Sequence, residues 1–165
     1  MLKILKMAEE KAIPVGFLGG QPQTLEKLVS RVNSDFPELK LVYKFSPSFK
    51  EITMEEDNRI VEEIRNSGAR ILFVGLGCPK QEYWMHAHRG KVNAVMLGVG
   101  AAFDFYTGTV NQAPVWMQRT GLEWFFRLTR EPKRLWKRYF INNPRFVILA
   151  FIEQLHYLIG RKNNL

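Results

Sequence analysis

The chain has 165 residues, 46% apolar and 24% charged, with a net charge of +8. That length is enough for one domain with a sizeable core, and the composition is that of an ordinary globular protein. A single cysteine, Cys78, excludes an intrachain disulfide and points to a reducing compartment.

Leu2, Leu5, Ala8 and Ala12 recur at helical spacing and predict a helix that ends before Pro14. This charged start has no apolar h-region, so no secretory signal is expected. Ile13–Leu18 reads as a buried strand stopped by Gly19-Gly20. Pro22 opens a helix to about Asn33 with Leu25, Leu28, Val29 and Val32 on one face. Leu39–Tyr43 is the second strand, and Phe45–Lys50 a loop around Pro47. Thr53–Asn66 reads as a helix capped by Thr53, with Glu56 three residues on and Ile60, Val61 and Ile64 facing inward. A third strand at Ile71–Leu76, a helix at Pro79–Arg89 and a fourth strand at Asn93–Val99 complete the pattern.

Strands alternating with helices predict an α/β fold, a parallel sheet with helices packed on it. The nearly all-apolar strands fit a sheet covered on both faces. Ligands of such sheets sit beyond the carboxyl ends of the strands. Gly19-Gly20, Gly77-Cys78-Pro79 and Gly100-Ala101 all follow strands, so they are expected to gather on one edge.

Beyond Pro114 the pattern changes to helices, at Pro114–Leu128, Pro132–Phe140 and Pro144–Ile159. The division expected is 1–113 for the α/β core and 114–165 for a basic helical appendage. From Val115 on there are ten Lys/Arg against three Glu, a net of +7, while the first 114 residues carry +1. Such asymmetry suits a polyanion: nucleic acid, an anionic membrane or a pyrophosphate. The apolar run Phe146–Ile152 is far below the ~20 residues that span a bilayer, whereas a helix lying in the interface stays open.

Several residues carry candidate chemistry. Gly19-Gly20 lets backbone approach a phosphate or sugar, or simply makes a tight turn. Pro79 starts a helix whose free amides face the loop. Beside it Lys80 can neutralise phosphate, Gln81 can hydrogen-bond a sugar or base, and Glu82 completes a polar trio; a plain helix cap with a solvated Lys/Glu pair is the alternative. Asp104, between Phe103 and Phe105, suits either a base or a loop brace. Arg127, Arg130, Arg134, Lys137 and Arg138 recur every three or four positions, as a diphosphate clamp or a solvated face paired with Glu123 and Glu131. Trp124 and Trp136 suit ring stacking or a lipid interface. His86 and His88 fall on different helical faces and no Asp-x-Asp pair occurs, so no metal is expected. No nucleic-acid motif accompanies the charge, and no Gly-x-Gly-x-x-Gly follows the first strand, which disfavours nucleic acid and a dinucleotide oxidoreductase.

The order of these segments resembles the WecG/TagA/CpsF family of bacterial glycosyltransferases. The resemblance runs from about Ile13 to Tyr139. Its carriers are Phe17-Leu18-Gly19-Gly20, Phe73-Val74-Gly75-Leu76-Gly77 with Pro79-Lys80-Gln81-Glu82, and Gly98-Val99-Gly100-Ala101-Ala102-Phe103-Asp104-Phe105. Gly108, Ala113-Pro114, Gly121-Leu122-Glu123-Trp124, Arg127-Leu128, Glu131-Pro132, Arg134-Leu135 and Arg138-Tyr139 follow. It implies a Rossmann-like core with a basic appendage at the inner face of the cell membrane. It also implies inverting transfer of an N-acetylhexosamine, ManNAc or ManNAcA-like, from a UDP-sugar to a polyprenyl-diphosphate-linked saccharide. Such lipids feed teichoic acid, common antigen, capsule or exopolysaccharide synthesis. Gln81 and Asp104 are the catalytic candidates. Gly19, Gly20, Pro79, Lys80, Glu82, Gly100, Arg127, Arg134, Lys137 and Arg138 are the candidates for binding substrate. No cofactor beyond the UDP-sugar donor is implied, and a homo-oligomer stays open. The family's N-terminal portion, with the aspartate proposed as base, has no counterpart here, so a truncated binding module is the alternative expectation. Gln112 stands where the family usually has arginine, and Lys137 where arginine is common, which gives up bidentate phosphate contact.

Overall fold

The computed structural model describes residues 1–47, 52–110, 112–130, 132–137, 140–141 and 143–162, without the side chains of 134, 137 and 155–162. Its elements in chain order are α1 (Leu2–Glu10), β1 (Val15–Gly19), α2 (Pro22–Asp35), β2 (Leu41–Phe45), α3 (Met54–Ser67), β3 (Ile71–Gly75), α4 (Lys80–Ala87), β4 (Val95–Gly98) and α5 (Ala102–Thr107). Then come α6 (Val115–Arg119), α7 (Glu123–Arg130), α8 (Pro132–Lys137) and α9 (Asn143–Lys162). The strands form one parallel sheet in the order β2-β1-β3-β4. This is the expected α/β, Rossmann-like architecture.

Alternation along the central strands divides the core between two helical layers. Val15, Phe17, Ile71 and Phe73 face α1, α2 and α5, packing with Leu5, Ala8, Leu25, Leu28, Val32 and Phe103. Leu18, Leu72 and Val74 face α3 and α4, packing with Ile60, Ile64 and Trp84. Burying one such side chain contributes about 1.5–3 kcal/mol, so these two layers dominate the stability of the sheet. The edge strand departs from the expected burial. Val95 of β4 is 64% exposed, because that strand has a neighbour on one side.

Local signals fix the helix ends. Pro22 occupies the first turn of α2. Thr53 Oγ1 accepts the amide of Glu56 at 3.2 Å, and Gly68 closes α3 in the left-handed region at φ 73°. Two expectations are corrected. The second strand begins at Leu41 rather than Leu39, because its ladder to β1 starts at Val15↔Leu41, and it runs on through Phe45. The helix expected over Pro114–Leu128 is two helices, because Gly121 at φ 73° ends the first and Leu122 N–H turns back to Met117 O at 2.8 Å. Part of the loop expected at Phe45–Lys50, residues 48–50, lies outside the described residues.

By backbone proximity the chain forms two compact units, Met1–Asn111 and Gln112–Leu165. Among the described residues, no helix is long and apolar enough to cross a membrane.

Candidate active site

The carboxyl edge of the sheet is lined by glycine. Gly19 and Gly75 are partners in the β1–β3 ladder, and Gly98 pairs with Val74 across β3–β4. Their bareness is a packing requirement. A Cβ on Gly19, whose φ is 111°, would lie 2.6 Å from the carbonyl carbon of Gly75. One on Gly75 would lie 2.5 Å from Phe103 Cε2, and one on Gly98 would lie 3.0 Å from Gln81 Nε2. Phe103 from α5 thus covers one face of the strand ends, and Gln81 from α4 covers the other.

Gly20, at φ 76°, donates its amide to Gly75 O at 3.0 Å and accepts Ser46 Oγ–H at 2.6 Å. The chain then turns into α2, whose buried Thr24 donates to Asp104 Oδ1 at 3.3 Å. Asp104 lies in the first turn of α5, a short helix the sequence pattern does not reveal. Of the two roles left open for it, the loop-brace role gains a partner, although that partner is a hydroxyl and not a backbone amide. Tyr106 ties the same two helices together: its hydroxyl donates to Asp35 Oδ2 at 2.5 Å, and Arg31 donates to its carbonyl.

Pro79 precedes α4, with Lys80 and Glu82 exposed on the first turn. The amide of Gln81 is not free, since it donates to Gly77 O at 2.9 Å. Its side chain is buried and engaged at both polar ends. Oε1 accepts the amide of Gly100 at 3.0 Å, and Nε2 donates to Glu82 Oε1 at 2.8 Å. Gln81 therefore braces the loop after β4 at Gly100, whose φ is 53°. Gly19, Gly20, Pro79, Lys80, Gln81, Glu82, Gly100 and Asp104 all belong to the strand-end segments and the helices that follow them.

The five candidate cations after Pro114 belong to the other unit. Arg127 pairs with Glu123 one turn earlier on α7, both side chains part-exposed. Arg130 lies over the Phe126 ring at 5.5 Å. Arg134 and Lys137 are on α8, so the five cations do not share a single helix; the side chains of these two lie outside the described residues, as does Arg138 entirely. His86 is exposed and His88 buried, in line with their different faces.

A model of the glycosyl transferase WecG/TagA/CpsF family matches residues 1–159. The chain belongs to this family. An N-acetylglucosaminyldiphosphoundecaprenol N-acetyl-beta-D-mannosaminyltransferase of Bacillus subtilis (strain 168) is 29% identical over 153 residues, 92% of this chain and 57% of that protein. The enzyme of the same name from Bacillus spizizenii (strain ATCC 23059 / NRRL B-14472 / W23) is 30% identical over 145 residues, 87% of this chain and 54% of its own length. This WecG/TagA/CpsF chain thus spans a little over half the length of the curated relatives it matches.

Sequence reasoning missed three residues that shape this edge. Phe103 and Thr24 are buried beneath it, and Asp57 reaches it through α4. The first two follow a strand-end glycine by a few residues, which is the available signal; Asp57 has none in one dimension.

Proposed function

We propose that the chain works in an inverting glycosyltransferase that moves an N-acetylhexosamine, ManNAc or ManNAcA-like, from UDP to a polyprenyl-diphosphate-linked saccharide. The observation that carries the reading is the glycine-lined strand edge, flanked by Gln81 on one face and Phe103 with Asp104 on the other. Beyond these packed glycines Gly77 has open space where a Cβ would stand, and the first-turn amides of α2 after Gly20 have no partner within their helix, which suits a phosphate. The relatives' names supply the lipid-diphosphate acceptor class and the N-acetylmannosamine transferred.

The acceptor hydroxyl attacks the anomeric carbon and its new C–O bond inverts that centre. The bond to the UDP oxygen breaks, and UDP leaves with both electrons. Asp104 is the carboxylate assigned to take the hydroxyl proton. Gln81 keeps Gly100 in place beside the sugar, while Gly19, Gly20, Pro79, Lys80 and Glu82 line the donor side. Arg127, Arg134, Lys137 and Arg138 hold lipid or nucleotide diphosphate without a metal. The exposed apolar side chains of α9 seat the appendage in an anionic membrane surface at the cytoplasmic face.

The test is UDP release from a panel of UDP-N-acetylhexosamines with a polyprenyl-diphosphate-linked GlcNAc analogue. Turnover that Asp104→Asn lowers by about 100-fold supports the assignment. Binding without turnover is the second reading, favoured by the engagement of Gln81 at both polar ends and of Asp104 by Thr24. Calorimetric UDP binding without release selects it; no binding and no release rejects both.

A further inference from the structure

The inward face of α4 and its C-terminal cap is Gln81, Trp84 and His88, spaced three and four residues apart, and each of the three side chains makes hydrogen bonds. An apolar face can slide over a sheet at modest cost, whereas a face held by directional bonds has one setting. One carboxylate provides much of that setting. Asp57, in the first turn of α3, accepts Trp84 Nε1–H on Oδ1 at 2.9 Å, and its Oδ2 lies 2.8 Å from His88 Nε2. The two rings stack at 4.2 Å between centroids and 19° between planes. His88 Nδ1 is 2.7 Å from Trp84 O, which also accepts the backbone amide of His88 at 3.1 Å.

At the other end of the same face, Gln81 Oε1 reaches the Gly100 amide across bare Gly98. The contact leaves no slack: a Cβ at Gly98 would already be 3.0 Å from Gln81 Nε2. We infer that Asp57 is a positioning residue for the strand-end site, holding α4 through Trp84 and His88 so that Gln81 stays on Gly100. The glycosyltransferase reading enters only the ligand arm of the test.

Substitution by asparagine separates position from mere stability. Its oxygen still accepts from Trp84, and its amide donates to His88 Nε2 while Nδ1–H donates to Trp84 O. Every bond is kept without the charge. Alanine removes both bonds, and Trp84→Phe keeps a ring while deleting the Nε1–H.

The experiment is amide hydrogen exchange on the full 165-residue chain by NMR, with calorimetric UDP titration of the same samples. Asp57→Ala is expected to speed exchange at Gly100 by about tenfold while Phe17 and Phe73 in the central strands change less than about threefold. Asp57→Asn stays within about threefold of the wild type at Gly100, and Trp84→Phe falls between. UDP affinity follows the same order. Unchanged exchange at Gly100 in Asp57→Ala overturns the inference. So does equal acceleration at Gly100, Phe17 and Phe73, which marks a purely structural role, or an asparagine variant as fast as the alanine one. Failure of every form to bind UDP rejects the nucleotide reading and leaves Gly100 exchange to decide the role of Asp57.

Discussion

The units Met1–Asn111 and Gln112–Leu165 both carry large apolar side chains, and they place them oppositely. In the first, Phe17, Phe73 and Phe103 are sealed between sheet and helices. In the second, Trp116, Phe146, Val147, Ile148 and Phe151 are each more than half exposed, and the apolar residues buried among those described are Ala113 and Leu135. The first unit spends its hydrophobic surface on its own fold. The second keeps it available beside most of the positive charge, which is what supports an interfacial role for it.

Glycine substitution gives the largest test of that contrast. Gly19 and Gly121 both sit at positive φ, but a Cβ on Gly19 would strike the backbone of Gly75, whereas Gly121 has nothing within 4 Å. Gly19→Val is expected to cost at least ~3 kcal/mol in urea denaturation. Gly121→Ala should cost only ~1 kcal/mol, from backbone strain. Equal losses would mean the second unit is packed as tightly as the first.

Polar substitution on α9 comes next. Phe146→Asp and Phe151→Asp should each lower partitioning to anionic vesicles by about tenfold. The unfolding free energy from urea titration should change by less than ~0.5 kcal/mol, because both side chains are exposed. A large drop in the midpoint with unchanged vesicle binding would reverse the assignment, making α9 part of a core.

The same contrast explains what could be read in one dimension. β1 and β3 are runs of apolar residues buried on both faces, so their positions follow from composition to within a residue or two. β2 could not be set so closely. Leu39 is buried yet precedes the ladder, and pairing with β1 decides where the strand starts. The strand-end glycines were legible because a turn after a strand demands them. α5 was not, since six residues give too little periodicity. The bracing of Gly100 by Gln81 and the clamp from Asp57 join residues 19 to 31 positions apart, and such contacts leave no local trace.

Smaller effects come from tyrosines in the first unit. Burial, then the hydrogen bond and charge of Asp35, push the Tyr106 phenol well above the ordinary tyrosine range; the Arg31 charge opposes this. The folded protein therefore holds this proton more tightly than the unfolded chain. Its contribution is complete below the unfolded value of about 10 and is lost as pH rises past it. Tyr106→Phe should lose about 1 kcal/mol at pH 7 with its bond to Asp35, and should flatten the decline in stability above about pH 10. Urea midpoints at the two pH values check both.

Tyr43 makes the subtler case. Burial, then the Glu63 charge, raise its phenol in the same direction, against the nearby Arg59. The Glu63 carboxylate also raises it by a hydrogen-bond contribution, yet the buried hydroxyl makes no bond of ordinary geometry among the described residues, so that contact is a weak one. A buried hydroxyl so poorly satisfied is a cost to the fold, so deleting it relieves a penalty where deleting the Tyr106 hydroxyl breaks a bond. Tyr43→Phe should leave stability at pH 7 unchanged or raise it by up to ~0.5 kcal/mol, and it too should flatten the alkaline decline. A loss of ~1 kcal/mol at pH 7 would mean that the hydroxyl has a partner after all, with the Glu63 carboxylate the first to mutate.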